Sequence, residues 1–155
     1  MSDGRPLALV TGGMRRLGAA IAARLAEAGY DLALSSHVDG APEAHLQEAL
    51  TTSGANWWGF VADLAEPSAA GQLMENVIAH FGRVPAVLVN NAAMFGQDDW
   101  TNMDAATLNA HFRLNMFAPL LLSQALVKAA TTQVAIVHIA DQRIENPPPD
   151  QLSYT

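Results

Sequence analysis

The chain has 155 residues, which suits a single domain, and half of them are apolar while 15% are charged, a composition that excludes intrinsic disorder. The net charge of −7 argues against a nucleic-acid partner, because a duplex-binding module presents a basic face. Cysteine is absent, which excludes disulfides, cysteine-zinc sites and thiol catalysis. Without a signal peptide or an unbroken apolar stretch of roughly 20 residues, we expect a cytoplasmic protein with no membrane partner.

The predicted strands are short, almost wholly apolar, and separated by stretches of helical periodicity. Five are predicted, at residues 6–10, 31–35, 56–62, 86–89 and 134–139. Apolar strands that alternate with helices are typical of an α/β fold, in which helices cover both faces of a doubly wound parallel sheet. Such folds bind ligands beyond the carboxyl ends of the strands, so the loops after the first, third, fourth and fifth strands are the first candidates for a site.

The helices are predicted from apolar spacing and from residues typical of helix ends. The first helix ends at Gly29, which suits a left-handed residue. Pro42 is expected in the first turn of the second helix, and the third ends near Gly82. A long fourth helix runs over about 104–130, past Pro119. The predicted apolar face of the first helix consists of Leu17, Ile21, Leu25 and Ala28.

A glycine-rich turn joins the first strand to the first helix. Glycine lets the backbone turn sharply and approach a pyrophosphate, and the helix N-terminus adds free N–H groups. An ordinary glycine-rich turn stays open as the alternative, because the spacing is not GxGxxG. The expected dinucleotide contacts in this turn are Thr11, Gly12, Gly13, Arg15, Arg16, Leu17 and Gly18.

The turn resembles the TGxxxGxG segment of short-chain dehydrogenases/reductases, with Arg16 in place of the middle glycine. Four further segments resemble that family, in the family's order. They are Asp63-Leu64 after the third strand, Asn90-Asn91-Ala92-Ala93 after the fourth, Asn115 in the long helix, and Tyr154. The matches span residues 6 to 155, and together they are specific although each alone is modest.

The resemblance implies a role for each of these residues. Asp63 is expected to meet the adenine ring, and it could also cap the following helix, since the two roles are compatible. Asn91 is expected to tie loops together beside the cofactor, with a purely structural bridge as the alternative. Asn115 is expected to kink the long helix and to hold a water in a proton relay. The expected cofactor contacts after the third and fourth strands are Asp63, Leu64, Asn90, Asn91 and Ala92.

The choice between cofactors depends on the end of the second strand. An NAD-selective site usually places an acid there to bond the ribose 2′-hydroxyl. This chain has Ser36 and His37 instead, and Asp39 lies too far along. Arg15 and Arg16 suit a 2′-phosphate, whereas two merely solvated arginines would oppose the helix dipole. We therefore predict NADPH over NADH, with Ser36 and His37 among the contacts.

The reacting end resembles one branch of the family. Most members carry a serine 13 residues before the tyrosine, where this chain has Asp141 before Tyr154. Pteridine and dihydromonapterin-type reductases resemble this departure, and they also carry an arginine like Arg16. Phe95 is similar to the aromatic that stacks on the pterin in pteridine reductases, although it could simply cover the pocket. Asp141 could equally be a turn or cap acid.

The resemblance implies hydride transfer to a C=O or C=N bond of a small-molecule substrate. Tyr154 is expected to donate the proton, Asn115 to belong to the relay, and Asp141 to orient Tyr154 or bond an aminopterin edge. Phe95 and Asp141 are the expected substrate contacts. A ketoreductase acting on an alcohol, sugar or acyl carbonyl and a catalytically inactive dinucleotide-binding module stay open as alternatives.

The family's lysine follows its tyrosine by four residues, which is position 158 here. Residues 1–155 are therefore expected to be the amino-terminal part of a longer reductase domain, inactive when isolated. The resemblance also implies a homo-oligomer. No metal site is expected, because the spacing of the histidines does not suit ligands and His111 and His138 are interpreted as structural.

Overall fold

The computed structural model describes residues 4–146 and 148–154 and contains a five-stranded parallel sheet. The ends of the predicted domain, residues 1–3 and Thr155, lie outside the described residues. The strands are β1 (Leu7–Thr11), β2 (Asp31–Ser36), β3 (Trp57–Val61), β4 (Val87–Asn90) and β5 (Ala135–His138). Their order is β3-β2-β1-β4-β5, so the chain reverses direction across the sheet between β1 and β4. The α/β prediction is confirmed, and ligands bind at such a reversal.

Helices cover the two faces of this sheet. They are α1 (Arg16–Glu27), α2 (Ala44–Ser53), α3 (Ala69–Phe81), α4 (Ala105–His111) and α5 (Ala118–Ala129). Alternate residues of a strand point to opposite faces, so Val10 packs with α1 and α2 whereas Leu9 packs with α3 and α5. Within the described part of the chain, no helix is long and apolar enough to cross a membrane.

Two details of the predicted helices are wrong. α2 begins at Ala44, so Pro42 precedes it, and the Pro42 carbonyl accepts a hydrogen bond from the Gln47 side chain. Leu17 does not join the apolar face of α1, because its side chain is 55% exposed. Gly29 does adopt the predicted left-handed conformation, with φ of 91°.

The predicted long helix is helical throughout but not uniform. A π-helical segment, Phe112–Phe117, separates α4 from α5 and contains Asn115. Pro119 lies in the first turn of α5, directly after the π-helical segment, and supplies no N–H to the carbonyls of that segment. Single π turns inside α-helices occur frequently at functional sites. The helix thus departs from α-helical geometry at Asn115, while the expected kink and the water relay stay predictions.

A buried ion pair lies at the opposite end of the sheet from the glycine turn. Asp31 is 2% exposed and pairs with Arg83, which follows α3. Its other carboxylate oxygen accepts the Asn56 N–H at 2.9 Å. The pair therefore ties the start of β2 to the segments before β3 and β4.

Candidate active site

A cavity of about 680 Å³ opens at the carboxyl ends of β1, β2 and β3. Twelve of its sixteen lining residues belong to the glycine turn or to the segments directly after β2, β3 and β4, and two more, Ser35 and Ser36, end β2. The predicted contacts among them are Gly12, Arg15, Arg16, Leu17, Gly18, Ser36, His37, Asp63, Leu64, Asn91 and Ala92. A cavity of this size suits an extended ligand such as a dinucleotide.

Close backbone contacts explain the glycines of the turn. A Cβ atom at Gly18 would lie 2.0 Å from the Gly12 carbonyl oxygen and 2.7 Å from Nδ2 of Asn91. Gly12 itself has φ of 61°, a conformation that favours glycine. The chain therefore passes so tightly here that the start of α1 lies directly against the end of β1.

The two arginines of the turn both line this cavity. Arg15 caps α1, and Arg16 is its first residue. Arg16 has φ of 51°, a left-handed conformation that costs a non-glycine residue free energy. Its N–H donates to Oε1 of Glu43 at 3.0 Å. The family's glycine position is thus occupied by a residue held in a glycine-like backbone conformation.

The residues after β2 and β3 meet across the same cavity. Nδ1 of His37 lies 3.7 Å from Oδ1 of Asp63. That oxygen also accepts the Ala65 N–H at 3.1 Å, within the turn that leads to α3. The N-cap position of α3 is Ser68, whose side chain makes no capping hydrogen bond, so the predicted role of Asp63 as the cap of this helix is wrong.

Two predicted cofactor contacts lie behind the cavity wall. The Thr11 side chain, 1% exposed, donates to the Val89 carbonyl and accepts the N–H groups of Asn91 and Ala92. Gly13 packs against Leu34. Neither lines the cavity, so both support the turn rather than face a ligand. Asn91 Nδ2 donates to the Thr11 carbonyl at 2.9 Å and so bridges the β1 and β4 ends.

A second cavity, of about 220 Å³, adjoins the first at Ala92 and Ala93, which line both. It lies at the carboxyl ends of β4 and β5. Its other lining residues include Asn90, Asn115, His138, Asp141, Arg143 and Tyr154. Asn90 was predicted as a cofactor contact, and it lies in this second cavity with its Nδ2 3.4 Å from Ser123 Oγ.

Tyr154 and Asp141 are bonded within the second cavity. The Tyr154 hydroxyl donates to Oδ2 of Asp141 at 3.0 Å. Burial raises the pKa of the Tyr154 phenol above its usual 10, and the hydrogen bond and the charge of Asp141 raise it further. The positive charge of Arg143 opposes that rise. Tyr154 therefore holds its proton at neutral pH.

Arg143 lines this cavity, whereas Phe95, a predicted substrate contact, does not line it but packs against Tyr154. The Phe95 ring is 54% exposed and meets the Tyr154 ring edge-on, with centroids 4.9 Å apart. The Arg143 guanidinium lies over the Phe95 ring at 5.4 Å, and its Nε is 3.9 Å from Oδ2 of Asp141. An aromatic face, a cation and a carboxylate thus converge beside the Tyr154 hydroxyl.

Asn115 bonds the loop after β4. Its Oδ1 accepts the Met94 N–H at 2.8 Å and its Nδ2 donates to the Met94 carbonyl at 2.9 Å. The amide therefore pins the loop that carries Phe95 to the π-helical segment.

The short chain dehydrogenase family model matches residues 6–155. The chain belongs to this family. It is 26% identical over 155 residues to the uncharacterized oxidoreductase YjdA of Bacillus subtilis, an alignment that covers 96% of this chain and 61% of YjdA. The chain therefore spans less than two thirds of that relative's length.

Two solved structures resemble this short chain dehydrogenase closely. A 3-oxoacyl-[acyl-carrier protein] reductase from Brucella melitensis in complex with NAD has a TM-score of 0.86 and 30% identity, over 99% of this chain and 62% of that one. FolM alternative dihydrofolate reductase 1 from Brucella canis, complexed with NADP, has a TM-score of 0.85 and 30% identity, over 97% and 61%.

Three residues of the candidate site were not predicted as site residues from the sequence. Glu43 lines the first cavity, while Arg143 and His138 line the second. The one sequence feature that could have indicated Arg143 as a site residue is its position two residues after Asp141. Glu43 follows β2 by seven residues, and no pattern in the sequence connects it to Arg16.

Proposed function

We propose that the protein is an NADPH-dependent reductase that transfers hydride to a C=N or C=O bond of a planar, pterin-like substrate. The observation that carries this proposal is the junction of the two cavities at Ala92 and Ala93, with the Tyr154 hydroxyl on Asp141 in the second. Hydride transfer requires cofactor and substrate to meet, and a proton donor must lie at the meeting point.

The first cavity fits a nicotinamide dinucleotide. Gly18 has no Cβ and so lets the start of α1 lie against the end of β1, at the cavity, where the free N–H groups of the first turn would bind a pyrophosphate. Two solved relatives, complexed with NAD and with NADP, support the same class of cofactor. Gly12 and Gly18 would hold the pyrophosphate, and Asp63 and Leu64 would hold the adenine.

Arg15 and Arg16 support the preference for NADPH. Both line the first cavity, beside Ser36, which offers a hydroxyl where an NAD-selective site has an acid. Glu43 also lines it, but its Oε1 accepts the Arg16 N–H and its Oε2 lies 3.7 Å from His45. The Glu43 carboxylate is thus occupied by neighbouring groups, and the guanidinium groups of Arg15 and Arg16 stay available for a 2′-phosphate.

The chain's own residues supply the proton side of the reaction. A reduced nicotinamide, when bound, supplies the hydride. Tyr154, which is protonated at neutral pH, donates its proton to the substrate nitrogen or oxygen, so C=N becomes CH–NH and C=O becomes CH–OH. Asp141 orients the Tyr154 hydroxyl through the 3.0 Å hydrogen bond. Asn115 holds the Met94 backbone, and through it the loop that faces the substrate.

Phe95 and Asp141 support a planar heterocycle as the substrate. The exposed Phe95 ring offers a stacking face, and an aromatic pair adds about 0.5–1.5 kcal/mol to area burial. The Asp141 oxygens keep lone pairs beyond the bonds to Tyr154 and to the Arg143 N–H, and these suit the amino edge of a pterin. The FolM relative supports this substrate class.

A ketoreductase acting on an acyl carbonyl is the second candidate. The Brucella melitensis reductase supports it, with the same 30% identity as the FolM relative. The two candidates differ in what they require of Phe95, because a flexible acyl chain gains little from a flat ring.

Kinetics of the complete protein with dihydrobiopterin and with a 3-oxoacyl thioester distinguish these candidates. Phe95→Ala should raise KM for the dihydropterin about tenfold and change the thioester reaction little, whereas Phe95→Tyr, which keeps the ring, should behave as wild type. Reduction of the thioester without any reduction of dihydropterin would establish the ketoreductase instead.

A homo-oligomer belongs to the same proposal. α5 presents Leu120, Leu121 and Val127 to solvent, with exposures of 58%, 40% and 59%. Apolar patches of this kind mark interaction surfaces. Light scattering should give a multiple of the chain mass, and Leu120→Glu should reduce it. A wild-type monomer would contradict this part of the proposal.

A further inference from the structure

Three buried polar residues lie behind Tyr154 and have no part in the reaction proposed above. Asp98, His111 and Ser153 are 5%, 2% and 8% exposed. Asp98 belongs to the loop after β4, His111 ends α4, and Ser153 directly precedes Tyr154. We refer to these three residues as the rear cluster. Burying polar groups is costly unless they are bonded, so their partners indicate what the rear cluster does.

Asp98 fixes the segment that leads into Tyr154. Its N–H donates to the Asp150 carbonyl at 3.0 Å, and its carbonyl accepts the Leu152 N–H at 3.4 Å. Its side chain extends the same pairing, since Oδ1 accepts the Ser153 N–H at 3.0 Å. Asp98 therefore makes three hydrogen bonds to the four residues that precede Tyr154.

His111 and Ser153 connect this segment to α4. Nδ1 of His111 lies 3.0 Å from the Thr107 carbonyl oxygen and 3.0 Å from Oγ of Ser153. A carbonyl only accepts, so Nδ1 carries the proton and donates toward both oxygens. The neighbouring Ser153 side chain is the largest cause that lowers the pKa of Asp98. Ser153 thus links the other two residues, with its hydroxyl oxygen toward His111 and its N–H donating to Asp98.

The same histidine also contacts the Tyr154 ring. The two rings meet edge-on with centroids 6.2 Å apart, and Phe95 meets the Tyr154 ring in the same manner at 4.9 Å. A Cβ at Gly96 would lie 3.1 Å from Cε1 of His111, so any larger residue there would push the imidazole by a few tenths of an ångström. The ring of Tyr154 is therefore held by His111 as well as by Phe95.

A nucleophilic role for Ser153 does not fit this geometry. In a hydrolase triad the histidine stands between the serine and the acid and accepts the serine's proton. Here Ser153 stands between His111 and Asp98, and it is its backbone N–H that donates to the acid. Ser153 also lines neither of the two cavities that form the candidate active site. The rear cluster is built to hold a segment, and not to attack a substrate.

We propose that Asp98, His111 and Ser153 are positioning residues that hold Tyr154 against Phe95 with its hydroxyl on Asp141. The proposal rests on the proposed function only in taking Tyr154 as the proton donor, because the placement of the ring needs no substrate. Without the rear cluster, the segment before Tyr154 loses its bonds to the loop after β4. The phenol then becomes more exposed to water and leaves Asp141.

The ionisation of Tyr154 tests this proposal without any turnover. Tyrosine labelled with ¹³C is titrated by NMR in the complete protein, and Tyr154→Phe assigns the signal. Ser153→Ala removes the central hydroxyl, and Gly96→Ala displaces His111 from the other side. In both variants the Tyr154 pKa should fall from its raised value toward about 10. In a turnover assay kcat should fall about tenfold or more while KM for the cofactor stays unchanged.

Ser53→Ala is the matched control, because it removes a hydroxyl that bonds the Leu50 carbonyl in α2, far along the chain from Tyr154. It should leave the Tyr154 titration unchanged. The proposal is overturned if Tyr154 titrates as in wild type in both Ser153→Ala and Gly96→Ala. A shifted titration in a protein that reduces no tested substrate supports the rear cluster and counts against the proposed function alone.

Discussion

The Tyr154 hydroxyl donates a 3.0 Å hydrogen bond to Oδ2 of Asp141, which lies 13 residues earlier in the chain. The carboxylate raises the phenol's pKa through this bond and through its charge, in addition to the larger effect of burial. A serine at the same place would bond the hydroxyl without adding a negative charge. Asp141 therefore raises the pKa of Tyr154 in a way that a serine at this place would not.

Asp141→Asn should lower the Tyr154 pKa toward about 10, because the bond partner stays while the charge is removed. Tyrosine NMR measures this directly. The raised folded pKa also means that Tyr154 contributes stability that is fully present below pH ~10 and is lost as pH rises through the folded value. Asp141→Asn should therefore flatten the alkaline fall in stability. An unchanged or higher Tyr154 pKa would contradict this account of the pair.

Arg16 combines a backbone cost with a predicted binding role. Its left-handed φ of 51° suits glycine, so Arg16→Gly should be about 1 kcal/mol more stable than Arg16→Ala in chemical denaturation. Both variants lack the guanidinium, so both should lose about tenfold in the preference for NADPH over NADH in fluorescence titrations. Wild-type cofactor preference in both variants would remove Arg16 from the cofactor site.

Gly18→Ala should disrupt the first cavity, because the added Cβ would lie 2.0 Å from the Gly12 carbonyl oxygen. Such overpacking costs about 1–3 kcal/mol or more, and cofactor affinity should fall with it. Gly71→Ala is the control, since nothing lies within 4 Å of a Cβ there and alanine favours the interior of α3. In thermal denaturation, Gly18→Ala should lower the melting temperature and Gly71→Ala should raise it. Equal shifts in the two variants would refute the close contact at Gly18.

Asp31→Asn should destabilise the protein by about 3 kcal/mol, because it leaves Arg83 beside a neutral amide at a buried site. Asp39→Asn offers a matched control, since Asp39 is exposed and its bond is to the adjacent Gly40 N–H. Urea denaturation of both variants tests the contrast. A loss at Asp31 no larger than that at Asp39 would show that the ion pair does not hold the base of the sheet.

The sequence predicted the strands well because each is a short apolar run that ends in polar or glycine residues. Boundaries moved by one residue at most of the ends, as with Leu7–Thr11 against the predicted 6–10. Pro42 was misplaced because proline suits both the first turn of a helix and the extended backbone before it. Leu17 was wrongly predicted to face the core, because helical spacing alone does not show which side of a helix lines a cavity.

The candidate site was predictable where local motifs carry it and not where distant segments meet. The glycine turn and Asn90-Asn91 follow strands, so their meeting at one sheet edge follows from the topology. The contacts of Ser153 with Asp98 and His111 join residues 55 and 42 positions apart, and no periodicity encodes them. Arg143 likewise enters the site through a short 3-10 helix, Gln142–Ile144, that its sequence does not specify.

Oxidation of NADPH by the complete protein with dihydrobiopterin, followed at 340 nm in wild type and Tyr154→Phe, tests the central claim most directly. Tyr154→Phe keeps the ring that packs against Phe95 and removes only the hydroxyl bonded to Asp141. The account predicts turnover by wild type, a loss of at least about 100-fold in kcat for the variant, and unchanged NADPH binding. Wild-type turnover in Tyr154→Phe, or no reduction of either dihydropterin or carbonyl substrates by the wild-type protein, would contradict it.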